Sequence, residues 1–247
     1  SDLRGPNVRI ERFSGLELLI DAASAQLTAT LRKIHADPTG GAHGDGIARV
    51  VLTGGTAGIA LLRRLAEEPI DWARTHVFFG DERNAPVSHP DSNEGQAREA
   101  LLDQVAIPAA NVHGYGLDGG PMGPAVAAYE ETLRRVAPRG FDVHLAGMGG
   151  EGHMNSLFPH SAAVAERDRL VVAVTDSPKP PAQRATLTLP AVCGSRRVWF
   201  LVSGAEKAEA TSHLAAGADP AEWPAAGARG AEETVLFVTE DAAALLP

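Results

Sequence analysis

Apolar residues along this chain follow two rhythms. Short runs of about five alternate with polar positions or are apolar throughout, and longer segments repeat apolar residues every three to four positions. Val8 to Phe13 alternates, as an edge strand does. Leu16, Leu19, Ile20, Ala23, Leu27 and Leu31 then line one stripe of a helix running to about Ile34, with Ser14 placed to cap it. Ala48 to Leu52 is a continuous apolar run of the kind buried in a parallel sheet. Further strands are expected at Thr75–Phe79, Asn111–Tyr115, Phe141–Ala146, Leu170–Thr175, Arg184–Leu189, Val198–Val202 and Thr234–Val238. Helices are expected at Ala57–Glu67, from Ser92 to about Val105, at Pro124–Val136, at Ala205–Ala216 and briefly at the C-terminus. Alternation of this kind predicts an α/β fold with a mostly parallel sheet covered by helices. The Gly/Pro/Asp-rich stretch from Asp37 to Gly46 reads as a mobile loop. No repeat or low-complexity linker divides the chain, so one domain over residues 1–247 is expected.

Composition narrows the function. Hydrophobic residues make up 44% of the 247, enough for a substantial core, and no apolar run approaches the ~20 residues of a membrane span. A net charge of −9 argues against broad nucleic-acid binding. With one cysteine, Cys193, and no signal-peptide pattern in the sequence given, a cytoplasmic setting is expected. Lysine is scarce: only Lys33, Lys179 and Lys207 occur, so the placement of each is informative.

Four polar groups fall at strand ends, the edge where open α/β sheets bind ligands. Thr53-Gly54-Gly55-Thr56 lies between a strand and a helix. It is either a plain tight turn or an anion site made from N–H groups at a helix N-terminus. Asp81-Glu82-Arg83 is either a solvated corner or a site. In the second case Arg83 forks onto a phosphate or carboxylate, while Asp81 receives a sugar hydroxyl or holds the arginine. Asn93, opening the next helix, offers a further hydroxyl ligand. Lys207 follows a strand and a glycine turn, a position suited to a point-charge contact with phosphate. Arg184 and Lys179 flank a Pro-rich loop and are secondary candidates for the same role.

The fourth group is His153, at the end of FDVHLAGMGGEGHMNSLFPHS. The strand runs into Gly147, Gly149, Gly150 and Gly152, where the backbone must turn tightly or approach a ligand. His153 then opens a short apolar run, read as a brief helix stopped by Pro159. A neutral imidazole with a pKa near ~6.5 takes a proton from water at neutral pH. Glu151 stands two residues before it. No H-E-x-x-H or comparable metal-ligand spacing occurs, so neither metal nor cofactor is expected.

Taken in order, Thr53-Gly54-Gly55-Thr56, Asp81-Glu82-Arg83, Asp91-Ser92-Asn93, Gly147-Met148-Gly149 with Gly152-His153, Ser156-Leu157-Phe158-Pro159, Pro178-Lys179-Pro180-Pro181 with Arg184, and Gly204 with Lys207 resemble the 6-phosphogluconolactonases. The resemblance spans nearly the whole chain. It implies a Rossmann-like fold shared with glucosamine-6-phosphate deaminases and sugar-phosphate isomerases. It also implies metal-free hydrolysis of 6-phospho-D-glucono-1,5-lactone in the pentose phosphate pathway, with the sugar-phosphate lactone as partner and a monomer or weak homodimer as the working unit. Carried onto this sequence, His153 is the general base, with Glu151 and Asp81 beside it. Gly54, Gly55, Thr56, Arg83, Lys207 and Arg184 hold phosphate, and Asn93 holds a hydroxyl. The backbone of Gly149, Gly150 and Gly152 meets the oxyanion. Glu151 departs from the aspartate usual there, Ala57 replaces a common proline, and Asn155 replaces a common alanine.

Three other readings have distinct signatures. The related deaminases carry G-H-I-A-F-N-E-P, with a glutamate where this chain has Phe158. Gly147 to Gly152 satisfies the G-x-G-x-x-G spacing of nicotinamide sites, but Pro159 leaves no room for the long helix that motif needs. A non-catalytic phosphosugar-binding regulator would keep the anion site and need no base.

Overall fold

The computed structural model describes residues 7–247. Strands β1 (Val8–Phe13), β2 (Ala48–Leu52), β3 (Thr75–Phe79), β5 (Val143–Ala146), β8 (Arg197–Val202) and β9 (Glu233–Thr239) form one parallel sheet in the order β1-β9-β8-β5-β2-β3. A second sheet, antiparallel and three-stranded, pairs β4 (Asp81–Arg83) with β7 (Arg184–Leu187) and β7 with β6 (Val171–Val174). The helices are α1 (Leu16–Ala36), α2 (Gly55–Leu65), α3 (Asn93–Ala100), α4 (Gly123–Val136), α5 (Ala162–Ala165), α6 (Leu189–Cys193) and α7 (Ala208–Ala216).

All five residues of β2 are buried, as expected for a central parallel strand. The apolar stripe of α1 is buried as a unit from Leu19 to Ile34 and packs on α2 and the sheet. β1 sits at the sheet margin, where its alternation placed it. From β2 the chain steps outward to β3, then returns to the other side of β2 with β5, β8 and β9. The order therefore reverses between β2 and β5, and a crevice opens there beyond the carboxyl ends of the strands.

Several expectations need correction. The cap of α1 is Gly15, with no side-chain hydrogen bond, so Ser14 does not cap it. Asn111–Tyr115 is not a strand: it begins with a 3-10 turn, and only Val112 bridges to Val77 of β3. The run after His153 forms turns rather than a helix, because Met154 and Leu157 bridge across Asn155 and Ser156. The final residues form turns, not a helix. The helix expected at 205–216 starts as a 3-10 turn before α7. Finally, β6 and β7 leave the parallel sheet altogether.

The 37–46 loop is tied down. Asp142, buried just before β5, accepts the N–H of Ala42 at 2.7 Å and the N–H of Arg49 at 2.8 Å. The Arg139 N–H donates to His43 Nε2 at 2.9 Å. These ties lie where β2 and β5 begin, opposite the crevice, so the loop does not cover it.

Edge strand β3 is closed by the chain's two tyrosines. Phe79 N–H donates to Tyr129 Oη at 3.1 Å, and Tyr115 Oη donates to Phe79 O at 2.9 Å. Their rings stack with centroids 3.9 Å apart.

Candidate active site

Each β-strand that ends at the crevice delivers one piece of the site. After β2, Thr53 and Gly54 lead into α2, whose first N–H groups lack intrahelical partners as in any helix. Gly55 takes a φ of 78°, a left-handed turn that glycine makes without strain and that sends the chain directly into the helix. After β5 comes the turn bearing His153. After β8 come Gly204 and Lys207, with Gly204 at φ 109°. The second sheet adds Asp81 and Arg83 from β4 and Arg184 from β7. Together they line a cavity of about 510 Å³ with Gly54, Gly55, Thr56, Asn93, Asn155 and His153.

His153 Nδ1–H donates to Glu151 Oε1, a very close contact. That bond fixes the tautomer and leaves the Nε2 lone pair for a substrate-side proton. Burial lowers the pKa of the ring, and the Glu151 carboxylate opposes the shift only in part, so the imidazole is neutral at pH 7. Phe158 stacks on it at 4.7 Å between centroids, and the Arg184 guanidinium sits 5.6 Å over Phe158. Phe158 thus fills the deaminase glutamate position with an apolar wall. Gly149 lies so close that any β-carbon there would strike His153 Nδ1 and Glu151 Oε1.

The cations are already oriented. Arg83 Nη1 donates to Asp91 O at 2.8 Å and reaches Asn93 Oδ1 at 3.4 Å. Arg184 Nε and Nη2 donate to the carbonyls of Pro181, Lys179 and Pro180 at 3.0–3.2 Å. Lys207 Nζ donates to Met148 O at 2.7 Å. Asp81 is held on both oxygens, by Asn93 Nδ2 at 3.0 Å and by Ser156 Oγ at 2.6 Å.

The expected backbone oxyanion donors need revision. Gly149 N–H donates to His153 O, and Gly152 N–H donates to Gly149 O, both at 2.9 Å. Two of the three N–H groups are therefore spent holding the turn, which leaves Gly150. Gly150, Gly152 and Glu151 do not line the cavity, and Lys179 reaches Glu151 rather than the phosphate side.

Glu82 escaped sequence reasoning, which placed it in a charged corner. It is 4% exposed and accepts N–H groups from Arg83, Asn93 and Glu94 at 2.7–2.9 Å, plus the Ser92 hydroxyl at 3.2 Å. Burial raises its pKa and the three N–H groups oppose that. Its carboxylate sets the start of α3, and so places Asn93 against Asp81. The one legible signal was Ser92, which caps α3 by accepting Gly95 N–H. Among the described residues no three His, Cys, Asp or Glu side chains cluster to hold a metal, and no helix is long and apolar enough to cross a membrane.

Comparison with known proteins agrees with this geometry. Residues 16–237 match the family described as glucosamine-6-phosphate isomerases/6-phosphogluconolactonase. The chain is 48% identical over 249 residues to the 6-phosphogluconolactonase of Mycobacterium tuberculosis, covering 96% of this chain and 98% of that one. It is 40% identical to the Streptomyces coelicolor 6-phosphogluconolactonase, covering 94% and 92%. Among solved structures, the 6-phosphogluconolactonase of Thermotoga maritima superposes with a TM-score of 0.83 at 29% identity, covering 94% of this chain and 100% of that one. The strand order, the crevice at its reversal and these matches together place the chain in the glucosamine-6-phosphate isomerase/6-phosphogluconolactonase family.

Proposed function

We propose that this chain hydrolyses 6-phospho-D-glucono-1,5-lactone to 6-phosphogluconate, with His153 as general base. The observation that carries the reading is the His153–Glu151 hydrogen bond at one wall of a cavity whose other walls hold Arg83, Arg184, Lys207 and the start of α2. Those cations and N–H groups bind the phosphate, and Asn93 and Asp81 bind hydroxyls. Anchoring the ring at its phosphate supplies orientation, worth up to ~7–11 kcal/mol in ideal cases.

His153 Nε2 takes a proton from a water whose oxygen attacks the lactone carbonyl carbon. The tetrahedral oxyanion is met by backbone N–H groups at the cavity wall. Collapse breaks the bond from the carbonyl carbon to the ring oxygen, and the imidazolium returns its proton to that oxygen. The products are a hydroxyl and a carboxylic acid that ionises into solvent. Glu151 stabilises the transient imidazolium.

Deamination lacks its carboxylate at Phe158. A dinucleotide site lacks its crossover helix, because turns follow Gly152. The enzyme is taken to act in the cytoplasm, as one domain over residues 1–247 and as a monomer or weak homodimer. The deciding experiment measures opening of freshly made lactone by the wild type and by His153→Ala, each corrected for spontaneous hydrolysis. Acceleration by the wild type with loss in the variant is expected. A variant of undiminished rate removes His153 as the base.

A further inference from the structure

Resting on the lactonase reading, we propose that Lys179 is a positioning residue that acts on His153 through Glu151, which makes the longer acidic side chain serviceable at that position. Glu151 uses both oxygens: Oε1 accepts from His153 Nδ1–H, and Oε2 lies 3.2 Å from Lys179 Nζ. A glutamate has one more rotatable bond than an aspartate, and a single hydrogen bond leaves that freedom unspent. The second contact removes it.

The lysine is launched from a fixed platform. Its backbone stands between Pro178 and Pro180, whose rings lock φ. Its carbonyl accepts from Ser177 Oγ at 2.7 Å and from Arg184 Nη2 at 3.0 Å. Arg184, 5% exposed, also holds the carbonyls of Pro180 and Pro181. An exposed ion pair contributes little to stability. Here the contact acts on the direction of one catalytic ring, where a displacement of ~1 Å can cost about 10²-fold in rate.

Lys179 does not line the cavity, so its loss should leave substrate affinity intact. The test compares the wild type, Lys179→Met, Lys179→Arg, Glu151→Gln and the double variant Lys179→Met/Glu151→Gln, with 6-phosphogluconate affinity read by calorimetry. Lys179→Met is expected to lower kcat about tenfold with KM and product affinity unchanged. Lys179→Arg should restore most of the rate, and the double variant should be no slower than Glu151→Gln alone. A raised KM in Lys179→Met, losses that multiply in the double variant, or an unchanged kcat would each overturn the inference. If wild type accelerates the reaction and His153→Ala does not, such a result removes only the role of Lys179. A wild type no faster than spontaneous opening overturns the lactonase reading as well.

Discussion

Arg83 and Arg184 stand directly opposite one another on the antiparallel pair β4–β7. Like charges in that relation destabilise a sheet, and both line the cavity. Arg83 Nε is buried with no hydrogen-bond partner among the described residues. A dianion between them relieves the repulsion. Phosphate or sulfate should therefore raise the melting temperature at low ionic strength, and the rise should shrink toward ~1 M sodium chloride, where charges are screened within ~3 Å. Arg83→Gln should abolish the rise and lower kcat/KM by roughly 10²-fold, through orientation as well as affinity. An equal rise in Arg83→Gln would place the anion elsewhere.

The rate should fall on the acid side with a midpoint below the ordinary histidine value of 6.5, because burial lowers the His153 pKa. The Glu151 carboxylate favours the imidazolium. In Glu151→Gln the acid limb of kcat/KM should move to still lower pH, with a reduced plateau because the base is weaker. A limb that stays in place would mean that Glu151 is not electrostatically coupled to the ring.

Glu82→Gln keeps the shape but turns an NH₂ toward backbone N–H donors at the start of α3. It should cost about 1–3 kcal/mol in urea unfolding, the penalty for leaving buried polar groups unpaired. A milder loss should appear in kcat/KM as Asn93 shifts from Asp81. A variant as stable as wild type would show that α3 does not depend on this carboxylate.

His144 and His113 are held neutral by burial, their pKa values lowered to about 3 and about 4. The sign follows: the folded state refuses protons that the unfolded chain binds at 6.5. Their contribution is complete above that pH and is lost as pH falls toward the folded values. His144 adds up to about 1.4 kcal/mol per pH unit, and half-buried His113, screened in part by solvent, adds less. Unfolding free energy measured from pH 7 to pH 4 should fall steadily, and the slope should flatten in His113→Phe. An unchanged slope would assign acid sensitivity to the carboxylates.

The parallel sheet was legible because its strands are apolar runs with strand-end motifs behind them. Thr53 to Thr56, His153 and Lys207 were legible as candidates, each at the carboxyl end of a strand, and the fold brings them to one cavity. The second sheet was not legible. β4 has three charged residues and no periodicity, and its partner β7 lies a hundred positions later, so only the folded chain joins them. For the same reason Glu82 read as a surface charge, although its four donors are supplied by neighbouring chain. The spent N–H groups of Gly149 and Gly152 were equally invisible, since glycines mark where a backbone turns and not which of its amides stay free.

The two tyrosines at Phe79 bear on self-association. With the N–H and carbonyl of Phe79 taken by hydroxyls, and the Val77 carbonyl taken by His113 N–H, the outer margin of β3 offers a second copy few groups to extend the sheet. The far margin, β1, carries Arg9, Glu11 and Arg12 along its length. Extension of the parallel sheet into a second copy is therefore disfavoured at both of its margins.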